Sequence, residues 1–172
     1  MTTSVSTSVA VNPNALDGTA PSAGVSRLQL RLPAQIRTDR VPAVLGGTTA
    51  DWLGERLPED DSGSRRFGCD LQLRVAPERH AWFRKSAIVS LGDPRMQTDG
   101  WVVPIEWRAA SLAPLFPVLV GVVRLTAEYL EIDGYYAPPF GVLGYLGDRL
   151  VLGAAARGTA RWFLETVARA LP

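Results

Sequence analysis

Residues 119–136 decide the fold: Leu119-Val120-Gly121-Val122-Val123-Arg124-Leu125-Thr126-Ala127-Glu128-Tyr129-Leu130-Glu131-Ile132-Asp133-Gly134-Tyr135-Tyr136. The odd positions Leu119, Gly121, Val123 and Leu125 form one face of a strand. The even positions Leu130, Ile132, Gly134 and Tyr136 form one face of a second. A two-residue turn at Ala127-Glu128 sets Leu125 opposite Leu130, Val123 opposite Ile132 and Gly121 opposite Gly134. Both apolar sets then share one side, which is what a hairpin with one buried face requires. Ala-Glu is a poor dipeptide for a tight turn, where Gly, Asn or Asp is favoured, so the faces carry the register and the turn does not. Glycine inside a strand marks a bend or a close backbone approach. The facing pair Gly121 and Gly134 is therefore expected to bend the sheet and open space on its concave side.

The same alternation extends towards the N-terminus. Arg27–Leu32 reads as a half-buried strand ended by Pro33, and Cys69, Leu71, Leu73 and Val75 alternate with polar residues. Ala87–Leu91 is a short apolar strand closed by Gly92-Asp93-Pro94. Trp101, Val103, Ile105 and Trp107 alternate with Val102, Pro104, Glu106 and Arg108, and Pro104, which has no N–H to donate, predicts an edge or a bulge. Between these strands, Val41–Leu57 reads as helical with a break at Gly46-Gly47. Its second part is capped by Thr48 or Thr49 and stopped by Pro58. Glu59–Arg66 reads as a loop, with Arg65-Arg66 as a solvated pair.

Towards the C-terminus, Pro138-Pro139 ends the sheet. Leu152, Ala156, Thr159, Phe163, Val167 and Ala170 then recur as a single helical stripe, with Arg157, Arg161, Glu165 and Arg169 on the opposite row. Ala156 and Thr159 are small where Phe163 is large. A stretch of small residues facing a bent sheet leaves an apolar gap, and such a gap is a ligand pocket. The chain thus reads as α+β, a curved antiparallel sheet wrapped around one long C-terminal helix.

Composition narrows the function. The 172 residues, 47% of them apolar, suit one domain with a sizeable core. Net charge is +1, from 18 basic and 17 acidic side chains, and this disfavours nucleic-acid binding, which needs a concentrated basic surface. Cys69 is the single cysteine, so no intrachain disulfide forms, which fits the reducing cytoplasm. It reads as a small half-buried thiol at a strand start. Residues 1–26 have neither a basic start nor an apolar core and do not read as a secretory signal. Their small polar composition predicts a disordered tail before a domain at 27–172. The longest apolar run, Leu115–Val123, contains Pro117 and ends at Arg124, far short of the about 20 residues of a membrane-spanning helix.

The pattern Phe116-Pro117-x-Leu119-x-Gly121, followed by Leu130-x-Ile132-x-Gly134-x-Tyr136-x-Pro138-Pro139-x-Gly141-x-x-Gly144, Asp148 and a long closing helix, resembles the last two strands and helix of SRPBCC (START-like) proteins. The likeness is clearest over Phe116–Leu171. It implies the helix-grip fold of a superfamily that includes polyketide cyclases, aromatases and lipid-transfer domains. The short connection at Ala127-Glu128 departs from that pattern, where a longer one is expected. The resemblance speaks to fold and leaves activity open.

The expected partner is a small apolar or aromatic molecule held in the cavity, and no cofactor is implied. Its walls are Trp101, Val103, Ile105 and Trp107 on one strand, Phe116, Leu119, Gly121 and Val123 on the next, and Leu130, Ile132, Gly134 and Tyr136 on the last. Leu152, Ala156, Thr159 and Phe163 close it from the helix. The alternative is a polyketide cyclase- or dehydrase-like enzyme that moves protons with Tyr136 or His80. A third reading is an interaction domain whose cavity is filled. By alternation Glu106 and Glu131 point away from the apolar face, as do Tyr129 and Tyr135, and Glu128 sits in the turn. There is no GxSxG elbow, His80 is the single histidine, and no metal-ligand set converges. Glu59, Asp60 and Asp61 read as a solvated acidic loop. Gly141-x-x-Gly144-x-x-Gly147 differs in spacing from a dinucleotide loop and reads as close helix–sheet packing. Trp162 projects to a different side of the helix from the stripe, where an exposed tryptophan would mark a partner surface.

Overall fold

The alternating segments pair into one antiparallel sheet. The computed structural model describes residues 25–47, 52–58, 64–74, 82–110, 118–137 and 149–172, with the backbone alone at 71–74, 82–85, 109 and 149–155. The strands are β1 (Ser26–Pro33), β2 (Glu55–Leu57), β3 (Arg65–Arg74), β4 (Trp82–Leu91), β5 (Arg95–Gln97), β6 (Gly100–Ala109), β7 (Val118–Leu125) and β8 (Tyr129–Ala137). A single 3-10 turn (Thr38–Arg40) and a short helix, α1 (Val41–Gly46), lie between β1 and β2. A helix of 22 residues, α2 (Arg149–Ala170), follows β8. Strand order is β1-β8-β7-β6-β4-β3-β2, and β5 pairs with β6 beyond the end of β4. The protein is α+β, a large open antiparallel sheet with a C-terminal helix. The first 24 residues, and with them most of the expected tail, lie outside the described residues.

The β7–β8 register is the one its faces dictate. Leu119 stands opposite Tyr136, Gly121 opposite Gly134, Val123 opposite Ile132 and Leu125 opposite Leu130. The weak Ala127-Glu128 dipeptide is rescued by its neighbour. The Thr126 hydroxyl accepts hydrogen bonds from the backbone N–H of Glu128 (3.3 Å) and of Tyr129 (3.1 Å), and the Thr126 N–H donates to the Tyr129 carbonyl at 2.9 Å. A threonine side chain thus does the work expected of a turn glycine or asparagine. The outward carbonyls of the turn are also satisfied, accepting from Ala34 N–H (3.0 Å) and Ile36 N–H (3.3 Å) beyond β1.

At the glycine pair the two backbones come close together. A Cβ on Gly121 would lie 2.5 Å from the Asp133 carbonyl oxygen and 2.6 Å from Gly134 Cα. A Cβ on Gly134 would meet the Val120 oxygen at 2.6 Å. No side chain fits at either position.

One face of the sheet is the core. Phe67, Val89, Trp107, Leu119 and Tyr136 form a buried row across β3, β4, β6, β7 and β8, and the described side chains of the rows on either side are apolar or small apart from Arg65. Helix α2 packs on this face. Phe163 meets Trp107 with ring centroids 6.2 Å apart and planes tilted by 53°, an aromatic contact worth about 1 kcal/mol beyond the area it buries. The helix touches β1 at one edge of the sheet, β8 beside it, and β3 next to the other edge. Its last turn is held where β1 ends, as Arg37 N–H donates to the Leu171 carbonyl at 3.0 Å. This supplies a donor to a helix end that would otherwise lack one. The expected stripe is buried at Ala156, Thr159, Phe163 and Val167, joined by Ala160 and Leu164, and the row Arg157, Arg161, Glu165 and Arg169 is exposed.

Several expectations from sequence are corrected. The second helix expected within Val41–Leu57 is absent from the described part of that span: Trp52-Leu53 is a turn and Glu55–Leu57 is β2, paired with β3. The backbone enters this strand at Gly54, whose φ is 155° and whose Cβ would lie 2.2 Å from the Gly68 oxygen. Pairing with β3 outweighs local helix propensity there. The caps at Thr48 and Thr49 lie outside the described residues. Arg65 and Arg66 open β3 and are not in a loop, β4 begins at Trp82 and not at Ala87, and Cys69 sits in the middle of β3, opposite Ala87.

Pro104 lies in an interior strand and faces a bulge. Leu91 pairs with Ile105 and Arg95 with Val102, so Gly92, Asp93 and Pro94 oppose only Val103 and Pro104. Gly92 N–H donates to the Pro104 carbonyl at 2.9 Å. The imide nitrogen points the same way, towards a stretch where the ladder is already interrupted.

Replacing Gly121 with Ala is expected to destabilise the fold by about 1–3 kcal/mol, because the new methyl meets backbone that cannot move aside. Urea unfolding checks this as a lower midpoint with an unchanged slope; an unchanged midpoint refutes the close approach.

Candidate functional site

The expected wall residues fall into two groups along the helix. Val103, Ile105, Trp107, Leu119, Val123, Leu130, Ile132 and Phe163 are fully buried on one face, Gly134 is buried beside them, and Trp101 and Gly121 are half-buried. They lie from the Trp107–Phe163 contact towards the C-terminal end of α2, where bulky side chains fill the space between sheet and helix. Beyond that contact, towards the start of α2, the described side chains become small. Cys69 and Ala87 pair across β3 and β4, and Ala156, Thr159 and Ala160 are the buried helix residues that precede Phe163. Tyr136, at 9% the most exposed member of its row, sits in β8 next to this end. Tyr136, Ala156 and Thr159 are all buried. Leu152 lies in the part of α2 described by backbone alone, and Phe116 lies outside the described residues, as do His80, Glu59, Asp60, Asp61, Gly141, Gly144 and Gly147.

Among the described side chains, titratable groups on the core face are few. Cys69 is buried and its thiol is pushed up to about 12, first by burial and then by the adjacent Asp70. It stays a neutral thiol at physiological pH, unsuited to nucleophilic work. Arg65 is 6% exposed and not solvated as expected. Its guanidinium donates to the carbonyls of Leu45, at the end of α1, and of Gly92, in the bulge, and lies 3.6 Å from Asp93. One buried cation thereby ties α1 to the break between β4 and β5, and arginine's fixed fork of donors suits two such carbonyls.

The acids of the strands are on the other face. Glu131 is only 4% exposed, yet its cover is polar: Gln29 donates to it at 2.6 Å and Arg31 at 2.7 Å, while Arg31 also stacks 4.1 Å from the centre of the Tyr129 ring. Asp133 accepts from Arg27 at 3.1 Å and from Arg124 at 3.2 Å. Burial works to raise both carboxyls. The hydrogen bonds from Gln29 and Arg31 to Glu131, and from Arg27 and Arg124 to Asp133, outweigh it and hold both below their ordinary values. Glu106 is half-buried on this outer face, Tyr129 and Tyr135 share it, and Glu128 is exposed in the turn. These groups form a ladder of charge across β1, β8 and β7, separate from the core face.

A depression of about 100 Å³ lies between the hairpin ends, lined by Gln97, Asp99, Arg124, Thr126 and Tyr129 among others. Among the described residues no three His, Cys, Asp or Glu side chains converge, and no helix is long and apolar enough to cross a membrane. Trp162 is half-buried and packed against the core, so it does not offer the exposed surface that would mark a partner. Comparison with models of known families, with curated proteins and with solved structures finds no match to this chain.

The outer carboxylates make stability depend on pH. Because their folded values lie below their unfolded ones, the stabilisation is complete above the ordinary glutamate value of 4.5 and is lost as pH falls through the folded values. Urea midpoints measured across this range are expected to drop on acidification, with a shallower drop in Glu131→Gln; identical pH profiles would remove Glu131 from the linkage.

Proposed function

We propose that this chain is a helix-grip domain of the START-like kind that holds a small apolar or aromatic molecule between the sheet and the first half of α2. The observation that carries the reading is the change in side-chain size on passing the Trp107–Phe163 contact. On the C-terminal side large apolar groups meet face to face. On the other side Cys69 and Ala87 on the sheet are matched by Ala156, Thr159 and Ala160 on the helix. Small residues on both walls leave room that a ligand fills. The grip itself is supported by the contacts of α2 with β1 and β8 on one side of the middle strands and with β3 on the other. In this reading Val103, Ile105, Val123, Leu130 and Ile132 form the packed half of the core beside the ligand, and Ala156, Thr159 and Tyr136 touch it.

The uncharged fluorescent probe N-phenyl-1-naphthylamine tests the placement. The full chain is expected to bind it, and Ala156→Phe to weaken binding at least about ten-fold, since the larger ring occupies the gap. Unchanged affinity in a variant with native circular dichroism would sink this placement of the cavity. Native mass spectrometry of the protein from its own host then identifies a co-purified species.

A second reading is favoured by Tyr136 alone, a buried phenol on the core face at the small-residue end. There the chain is an enzyme of the cyclase or dehydrase kind and the Tyr136 hydroxyl moves a proton on the bound molecule. With the molecule identified by mass spectrometry, Tyr136→Phe is expected to lower turnover and leave affinity unchanged; equal turnover removes Tyr136 from the chemistry.

A further inference from the structure

We infer that the depression between the hairpin ends is a second binding site, one for a small zwitterion such as a free amino acid, with its carboxylate at Arg124 and its ammonium at Asp99. The site does not depend on the cavity proposed above. It has a volume of about 100 Å³, that of roughly three waters in the liquid, which suits a molecule of few heavy atoms. Gly100 creates it. Trp101 pairs with Leu125, so Gly100 comes alongside the start of the β7–β8 turn. Its φ is 143°, and a Cβ there would lie 2.2 Å from the Leu125 carbonyl oxygen. Only glycine fits such a position, so no side chain of residue 100 can fill the space, and Val102 and Tyr129 stand around it as walls.

The charges of the lining select the ligand. Asp99 and Arg124 are the two charged residues that line the depression, and they do not pair with each other. Asp99, in the connection between β5 and β6, is exposed and among the described residues makes no hydrogen bond or ion pair. Arg124 spends one amino group on Asp133, at 3.2 Å, and its side chain is still 43% exposed. A guanidinium has five N–H donors, so most of this one remains open. Arg31, which stacks on Tyr129, is by contrast held by Glu131. An anion alone would be repelled by Asp99 and a cation alone by Arg124. A molecule that carries both signs complements both, through charge-assisted hydrogen bonds at each end. Gln97, exposed and likewise without a hydrogen bond, adds an amide oxygen for a second ammonium proton.

The test removes one charge of the ligand at a time. L-alanine is titrated into the full chain against propionate, which lacks the ammonium, and ethylamine, which lacks the carboxylate. Heteronuclear NMR follows the backbone amides of Gly100, Thr126 and Tyr129. Alanine is expected to shift these amides saturably and to bind about ten-fold more tightly than either analogue, the size of one hydrogen bond to a charged group. Asp99→Asn changes an exposed side chain without partners, so the fold is retained, and alanine is expected to bind it no better than propionate binds the unsubstituted chain. Arg124→Gln leaves Asp133 with Arg27 and is expected to bring alanine down to the level of ethylamine. The inference is overturned by the absence of a saturable shift at these amides, by propionate or ethylamine binding as tightly as alanine, or by an alanine affinity that either substitution leaves unchanged.

Discussion

The contact between Phe163 and Trp107 organises the molecule. Both rings are fully buried, one from the helix and one from an interior strand. Where they meet, the distance between helix and sheet is set by two large side chains. From there to Leu171 the gap is filled by leucine, valine and isoleucine from both layers, so this half of the domain is close-packed and rigid. In the other direction the described side chains are small, Cys69 and Ala87 on the sheet and Ala156, Thr159 and Ala160 on the helix.

The parts of this arrangement that rest on periodicity were legible in the sequence. The facing of Leu125 and Leu130, and of Gly121 and Gly134, follows from a period of two with one buried face, and the exposed row of α2 follows from a period of 3.6. The parts that rest on tertiary partners were not. Glu55–Leu57 is too short to show a strand pattern, and β3 alone makes it one. Arg65 looked solvated because its neighbours Ser62, Gly63 and Ser64 are loop-like, while the carbonyls that hold it are distant in sequence. Pro104 announced an irregularity correctly, but the choice between edge and bulge depended on the extra residue in the opposite strand. Thr126 was readable in principle, since its hydroxyl two residues before Glu128 has the spacing of a side-chain-mediated turn.

Of the candidate site, the apolar walls could be read and the charges could not. Alternation assigned Val103, Ile105, Leu119 and Ile132 to the core face correctly, since each is an apolar residue in an unbroken pattern. It also sent Glu106 and Glu131 outward. What it did not reveal is that Glu131 is nearly as hidden as a core residue, under Gln29 and Arg31 from a strand far away in the sequence. Burial on this face comes from long polar side chains lying across the sheet.

The pairing of β1 with β8 bears on how the chain folds as it is made. Arg27 reaches Asp133 across 106 residues of sequence, and α2 follows later still. During synthesis β1 emerges long before either partner exists, and it must remain unpaired while β3–β7 assemble. The charges that later bind β8 serve it in this interval. Arg27 and Arg31 on an otherwise leucine-rich strand, with Pro33 at its end, discourage pairing with strands of other chains. Pairing of β1 thus waits for β8 to be made, and the arginines of β1 keep the strand polar until then.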